Sequence, residues 1–261
     1  MVLKLTTRLL FVAHDKLYDA VQVLQYDHMI DNIDKTKIYY GPSNIDFDML
    51  DIFRIHDIDV SNFSVHEDIQ LINKTSLHED FYKFGGWISQ QMLKLLAIDN
   101  CNDENILIQD CDTYLLKSHN FFPMDNVDTL VIKNETHHPS YYNFIQRILT
   151  IPRQTRDCFI TEFMPITKTS WNNMVKHIEE KHNKNWFDAI YEIFENNFVP
   201  NEFMYFSEYE LLGNWQLYEN NNLQVTPQIR YESTRWNDSI NENLYTAYCV
   251  KPNLHDPVKY V

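Results

Sequence analysis

Two short, almost unbroken apolar runs, Leu9-Leu10-Phe11-Val12-Ala13 and Ile106-Leu107-Ile108, stop abruptly at polar side chains, His14-Asp15 and Gln109-Asp110. Runs this short and this apolar read as strands buried on both faces, and such strands belong to parallel sheets covered by helices. The intervening sequence supplies the helices. Lys16 to Tyr26 places Leu17, Ala20, Val21 and Leu24 at helical spacing, and Glu79 to Asn100 does so through Trp87, Ile88, Met92, Leu95 and Leu96. Lys37 to Tyr40 reads as another strand closed by Gly41-Pro42, Asp46 to Phe53 as a short helix, and Phe53-Arg54-Ile55 as a third strand. The polar stretch Asp57 to His78 reads as a loop. Strands alternating with helices predict a doubly wound α/β sheet whose ligands sit at the carboxyl ends of the strands.

The second half is more mixed. Thr129–Lys133 and Phe159–Met164 read as strands, and Trp186–Asn196 and Ser170–Lys181 as helices, the latter capped by Thr169 or Ser170. The tail from Asn237 onward has little regular pattern. No Pro/Gly/Ser-rich linker and no repeat divides the chain, so 1–261 reads as one domain with a mostly parallel central sheet flanked by helices.

Composition removes several function classes. Four glycines, and no GxGxxG or GxxxxGK[ST] pattern, exclude glycine-rich phosphate loops. A formal charge of -15 argues against nucleic acid and anionic membranes, which reward a basic face. It also means that a phosphate-bearing ligand needs a cation or a few well-placed Lys and Arg side chains. Cys101, Cys111, Cys158 and Cys249 have no CxxC spacing, as expected of a reducing compartment. The run Leu9 to Ala13 is too short for a signal segment or a membrane span, so the expected location is the cytoplasm with no transmembrane segment.

The acidic end of the second apolar run carries the chemistry. In an extended strand residues i and i+2 project to one side, with Cα atoms roughly 6–7 Å apart. Asp110 and Asp112 are therefore expected to share one hard cation, and oxygen-only ligation suits Mn²⁺ or Mg²⁺. The tripeptide alone is weak, as Asp57-Ile58-Asp59 elsewhere in this acidic chain shows. Its context, an apolar strand before and Thr113-Tyr114-Leu115-Leu116 after, sets it apart.

Other candidates follow from position. Trp87, Gln91 and Lys94 share a helix face, either as a surface stripe or as contacts to a ligand's phosphate and hydroxyl groups. His14 and Asp15 end the first strand, where Asp15 can also cap the next helix. Ser207-Glu208-Tyr209-Glu210 is a capping box that explains Ser207 and Glu210 but leaves Glu208 without a structural duty. His137 and His138 follow a strand end, while the five-residue spacing of His177 and His182 does not match a zinc helix. Trp215 and Trp236 suit core packing, with sugar stacking the alternative.

Ile106-Leu107-Ile108-Gln109-Asp110-Cys111-Asp112-Thr113 resembles the hhhhDxDT segment of GT-A glycosyltransferases. Gly86 to Leu95 and Phe206-Ser207-Glu208-Tyr209-Glu210 resemble, more specifically, a poorly characterised bacterial and viral family of DxD-containing glycosyltransferases. The resemblance implies a Rossmann-like GT-A domain, with a nucleotide-binding half over 1–116 and an acceptor half plus tail over 117–261. It implies Mn²⁺ (or Mg²⁺) on Asp110 and Asp112, and a UDP-sugar donor met by His14, Asp15, Gln91 and Lys94. It also implies an acceptor hydroxyl, of a glycan or another molecule, deprotonated by Glu208 in an inverting transfer. From the tail, His255 is expected as a third metal ligand and Lys259 or Lys251 on the diphosphate. A strand followed by DxDx[TV] also opens a phosphatase family, but Tyr114 stands at the fifth position and no later acidic pair of the DD or GDxxxD form appears. The second reading is a catalytically inactive GT-A-like module that binds a nucleotide sugar or glycan.

Overall fold

The computed structural model describes residues 5–12, 16–40, 49–72, 86–122, 129–133, 139–197, 206–220, 223–228, 230–233 and 247–250. Along the chain run β1 (Thr6–Val12), α1 (Leu17–Gln25), β2 (Ile33–Tyr40), α2 (Met49–Ile55), β3 (Phe63–Glu67) and α3 (Asp68–Ile72). Then come α4 (Gly86–Asp99), β4 (Asn105–Asp110), β5 (Thr113–Leu115), β6 (Thr129–Lys133), α5 (Pro139–Leu149) and β7 (Phe163–Thr167). The chain continues with α6 (Lys168–His182), α7 (Trp186–Asn197), α8 (Glu208–Glu219), β8 (Gln224–Gln228), β9 (Arg230–Ser233) and β10 (Ala247–Val250).

The central sheet has the order β3-β2-β1-β4-β7, with the first four strands parallel and β7 antiparallel to β4. Side-chain alternation splits its buried residues between two layers of cover. Leu9, Phe11, Ile106, Ile108, Met164 and Ile166 pack under residues of α4 to α8. Leu10, Val12 and Ile38 pack under α1 and α2 through Ala20, Val21, Leu24, Met49 and Phe53. This is the expected α/β architecture, a mostly parallel sheet flanked by helices.

Several local expectations change. Phe53-Arg54-Ile55 is the end of α2, and the third strand is Phe63–Glu67, inside the stretch read as a loop. Its alternation is weak because β3 is a half-buried edge strand. The strand expected from Phe159 begins only at Phe163. Thr167 rather than Thr169 or Ser170 caps α6, its hydroxyl accepting from Ser170 N at 3.1 Å. The tail, read as irregular, contributes β10, which pairs with β5 and β9. Helix α5 was not anticipated; Pro139 starts it, as suits a first helical residue whose N–H has no partner in any case.

The carbonyls at the C-terminal end of α5 are satisfied by α6. His177 Nε2 lies 2.7 Å from Leu149 O, His182 Nε2 2.8 Å from Ile148 O, and Lys181 Nζ 3.1 Å from Arg147 O. Those two histidines are therefore helix-end partners. Trp215 is buried and donates to Ser170 O at 3.1 Å, which is the core role.

Helix α8 passes through the middle of the larger layer, with every residue from Glu208 to Gln216 buried. Gly213 permits this: a Cβ there would meet the Phe159 ring at 2.3 Å. Its polar side chains find fixed partners. Gln216 donates to Pro165 O at 3.0 Å, and Asn214 Oδ1 accepts from Gln154 N at 3.1 Å. Half of the expected capping box forms, Ser207 Oγ accepting from Glu210 N at 3.3 Å. The Glu210 carboxylate instead accepts from Phe159 N at 3.0 Å.

Candidate functional site

β1 is flanked by β2 on one side and β4 on the other, so the strand order reverses between β1 and β4. Crevices for ligands open at such a reversal, beyond the carboxyl ends of the strands. The parallel register pairs Phe11 with Asp110, which puts Asp110 at that point as the last residue of β4. Cys111 and Asp112 then form a turn before β5, so the pair does not lie on one extended strand as its spacing suggested. The turn is pinned from within. Gln109 Nε2 donates to Thr113 O at 3.1 Å, and Thr113 Oγ1 donates to Asp112 Oδ1 at 3.3 Å.

Each aspartate is met by a lysine. Lys16, at the N-terminal end of α1, reaches across to Asp112 Oδ2 at 2.7 Å. Lys94, 1% exposed on α4, sits 2.5 Å from Asp110 Oδ1 and 2.7 Å from Glu208 Oε1. Burial works against the charge of both ammonium groups, yet the neighbouring carboxylates, Asp112 for Lys16 and Asp110 with Glu208 for Lys94, shift both upward on balance. Glu208 is fully enclosed, and burial raises its carboxyl to about 7 against the pull of Lys94. The Gln91 amide faces the same carboxylate and donates to it with its nitrogen turned inward.

Trp87, Gln91 and Lys94 do act as one stripe, but toward the start of α8. Trp87 Nε1 donates to Phe206 O at 3.4 Å while Gln91 and Lys94 hold Glu208. Tyr209 closes the group, with Lys94 Nζ 3.5 Å from its hydroxyl and 4.5 Å from the ring centroid. Burial raises its phenol well above the ordinary range, and the charges of Asp110, Glu208, Glu162 and Asp112 push the same way. Six residues from four separate parts of the chain, Lys94, Asp110 with Asp112, Glu162, and Glu208 with Tyr209, therefore share one electrostatic environment at the C-terminal end of β4.

His14, Asp15, His137, His138, Trp236, Lys251, His255 and Lys259 lie outside the described residues. Lys16, Tyr209 and Glu162 were not among the expected site residues. Lys16 had a signal in being a cation beside a strand end of a very acidic chain. Glu162 had none, because its place depends on the β4–β7 register.

The described fold is that of the GT-A glycosyltransferases. The apo structure of mouse xyloside xylosyltransferase 1 superposes with a TM-score of 0.51 at 11% identity, over 97% of this chain and 99% of that one. Galactosyltransferase LgtC, solved with donor and acceptor sugar analogues, gives a TM-score of 0.50 at 8% identity, over 94% and 86%. The chain belongs to the Family of unknown function (DUF6492), whose family model matches residues 46–242. No curated protein matches it. The matched span includes α4, the Asp110–Asp112 turn and the start of α8.

Proposed function

We propose that this chain, acting as one domain over 1–261, is a metal-dependent glycosyltransferase. In this reading it moves a sugar from a nucleoside diphosphate, a UDP-sugar foremost, to a hydroxyl acceptor such as a glycan. The observation that carries the reading is the placement of Asp110 and Asp112 at the strand-order reversal of a GT-A fold, each on a lysine.

The donor set fits a hard divalent cation, Mn²⁺ or Mg²⁺. Both carboxylates keep some exposure, at 21% and 14%, and the carboxylates around them outnumber the two ammonium groups. Among the described residues no three His, Cys, Asp or Glu side chains lie close enough to share an ion. Asp110 and Asp112 would then be the described protein ligands, leaving other positions to phosphate oxygens. The cation's chemistry, when bound, is to neutralise charge on the diphosphate leaving group. Lys16 and Lys94 pair with the two carboxylates and would supply positive charge beside the diphosphate. His14 and Asp15, between β1 and Lys16, are assigned to the nucleoside.

Glu208 is the proposed base of an inverting transfer. A carboxyl near 7 suits proton abstraction at neutral pH, and its enclosure requires the Lys94–Glu208 contact to open toward the acceptor. That same enclosure favours the second reading, a module that binds donor without turnover. UDP release from a panel of UDP-sugars with Mn²⁺, abolished by chelation, is the expected result of the first reading, with an NMR-assigned product of inverted configuration. Tight Mn²⁺-dependent binding without UDP release would select the second, and a product of retained configuration would remove Glu208 from the role.

The tail is assigned to the same site. β10 runs antiparallel to β5 with Cys249 opposite Thr113, so the chain leaves β10 level with Asp112. His255 is proposed as a third metal ligand and Lys259 or Lys251 as a contact to the diphosphate, all following that exit in the sequence. Deleting residues from Leu254 onward is expected to weaken UDP binding only when Mn²⁺ is present. Full affinity in the truncated protein would show that the tail takes no part.

A further inference from the structure

Lys16 suits the site better than it suits the helix it begins. It stands at the N-cap of α1 and its side chain makes no capping hydrogen bond, where Ser, Thr, Asp or Asn would satisfy a free backbone N–H. A cation is also disfavoured at the positive end of a helix. The side chain crosses instead to a carboxylate 96 residues further along, with Nζ 2.7 Å from Asp112 Oδ2. The other oxygen of that carboxylate, Oδ1, accepts from Thr113 Oγ1 at 3.3 Å. Both oxygens of Asp112 are therefore engaged, and a divalent cation taking Oδ2 would face the ammonium at close range, a like-charge contact. The two lysines of the site differ in how they can answer it. Lys94 is 1% exposed and fixed between Asp110 and Glu208, whereas Lys16 is 27% exposed on a flexible four-carbon stem.

We infer that Lys16 is the exchangeable counter-cation of the donor site: its ammonium holds Asp112 Oδ2 until a divalent cation takes that oxygen, and then passes to the diphosphate. This rests on the glycosyltransferase reading. An ammonium donates in three directions and can trade a carboxylate oxygen for a phosphate oxygen without a change of protonation. Metal and nucleotide are thereby coupled. A cation arriving alone displaces the ammonium into water, while a cation arriving with a diphosphate gives it a new acceptor. Asp110 has no such exchange, since the enclosed Lys94 cannot leave its Oδ1 for water. The locally unfavourable lysine at the head of α1 is then explained by what it does across the site.

The test titrates Mn²⁺ alone, and then UDP at saturating Mn²⁺, into the native, Lys16→Met and Lys16→Arg proteins, with Tm as the check on folding. Loss of a partly exposed ion pair should move Tm little. Lys16→Met is expected to bind Mn²⁺ alone about twofold to fivefold more tightly, because the competing ammonium is gone. It should bind UDP about tenfold to a hundredfold more weakly with Mn²⁺ present, the worth of hydrogen bonds from a charged group. Lys16→Arg keeps the charge and should keep the weaker native affinity for Mn²⁺ alone. A salt bridge with only a structural duty would move both affinities the same way, or neither, and either result would overturn the inference. So would one of the two shifts without the other, or a Lys16→Arg protein that gains Mn²⁺ affinity as Lys16→Met does. A native protein with no Mn²⁺-dependent UDP binding would instead overturn the glycosyltransferase reading, and the inference with it.

Discussion

Asp112→Ala is expected to abolish Mn²⁺-dependent binding of UDP and of UDP-sugars while the protein stays folded. The turn that carries Asp112 is held by Gln109 Nε2 on Thr113 O, a bond the substitution does not touch. Its own carboxylate accepts from Lys16 and from Thr113 Oγ1, so its removal frees an ammonium that is 27% exposed and can rehydrate. Stability should therefore change little, in the range of a partly exposed ion pair. Metal affinity should change greatly. Outer-shell partners of metal ligands are already worth about 10–100-fold, and loss of a carboxylate that itself binds the ion should exceed that. Isothermal titration with UDP, with and without Mn²⁺, separates the outcomes. Unchanged affinity in the variant would remove Asp112 from the metal site, and a collapse of Tm would show that the turn depends on the Lys16 pair.

How much of this was legible in the sequence varies with the range of the interactions involved. β1, α1 and β4 could be read because each is an apolar run or a helical stripe set by its own residues, and of β2 (Ile33–Tyr40) only Lys37 to Tyr40 was read. β3 could not, since an edge strand covered on one side carries a diluted pattern. β10 could not, because four residues, Ala-Tyr-Cys-Val, are a strand only beside β5 and β9. The Asp110–Asp112 pair was visible, but the reason given for its geometry was not the operative one. The strand stops at Asp110, and the next two residues turn under the Gln109 clamp. The grouping of Trp87, Gln91 and Lys94 was also visible from helical spacing. That their common partner is the start of α8, rather than open space, depends on how deeply α8 is buried, which Gly213 permits and local sequence does not announce.

The second large effect is expected at Lys94. Its ammonium is the bond between two carboxylates from different elements, Asp110 on β4 and Glu208 on α8, and it is 1% exposed. Removing one partner of a buried pair leaves an uncompensated charge and costs about 3–5 kcal/mol. Lys94→Met should therefore lower stability strongly, and the loss should depend on pH. In the native protein burial already raises Glu208 from an ordinary 4.5 to about 7, so between these values the folded chain keeps a proton that the unfolded chain has lost. Stability contributed by this group thus falls as pH rises through that window. Without the ammonium the folded carboxyl moves higher still, and the penalty extends to higher pH. The gap between native and Lys94→Met proteins should be smaller at pH 5 than at pH 8, read by denaturant unfolding at each pH. A double variant, Lys94→Met with Glu208→Gln, removes both enclosed charges and leaves Asp110, which is 21% exposed, to water. It should regain most of the lost stability without regaining UDP release, because neither the base nor the ammonium is restored. An equal gap at both pH values would show that Glu208 is not held by Lys94, and a double variant as unstable as the single one would place the cost in packing rather than in charge.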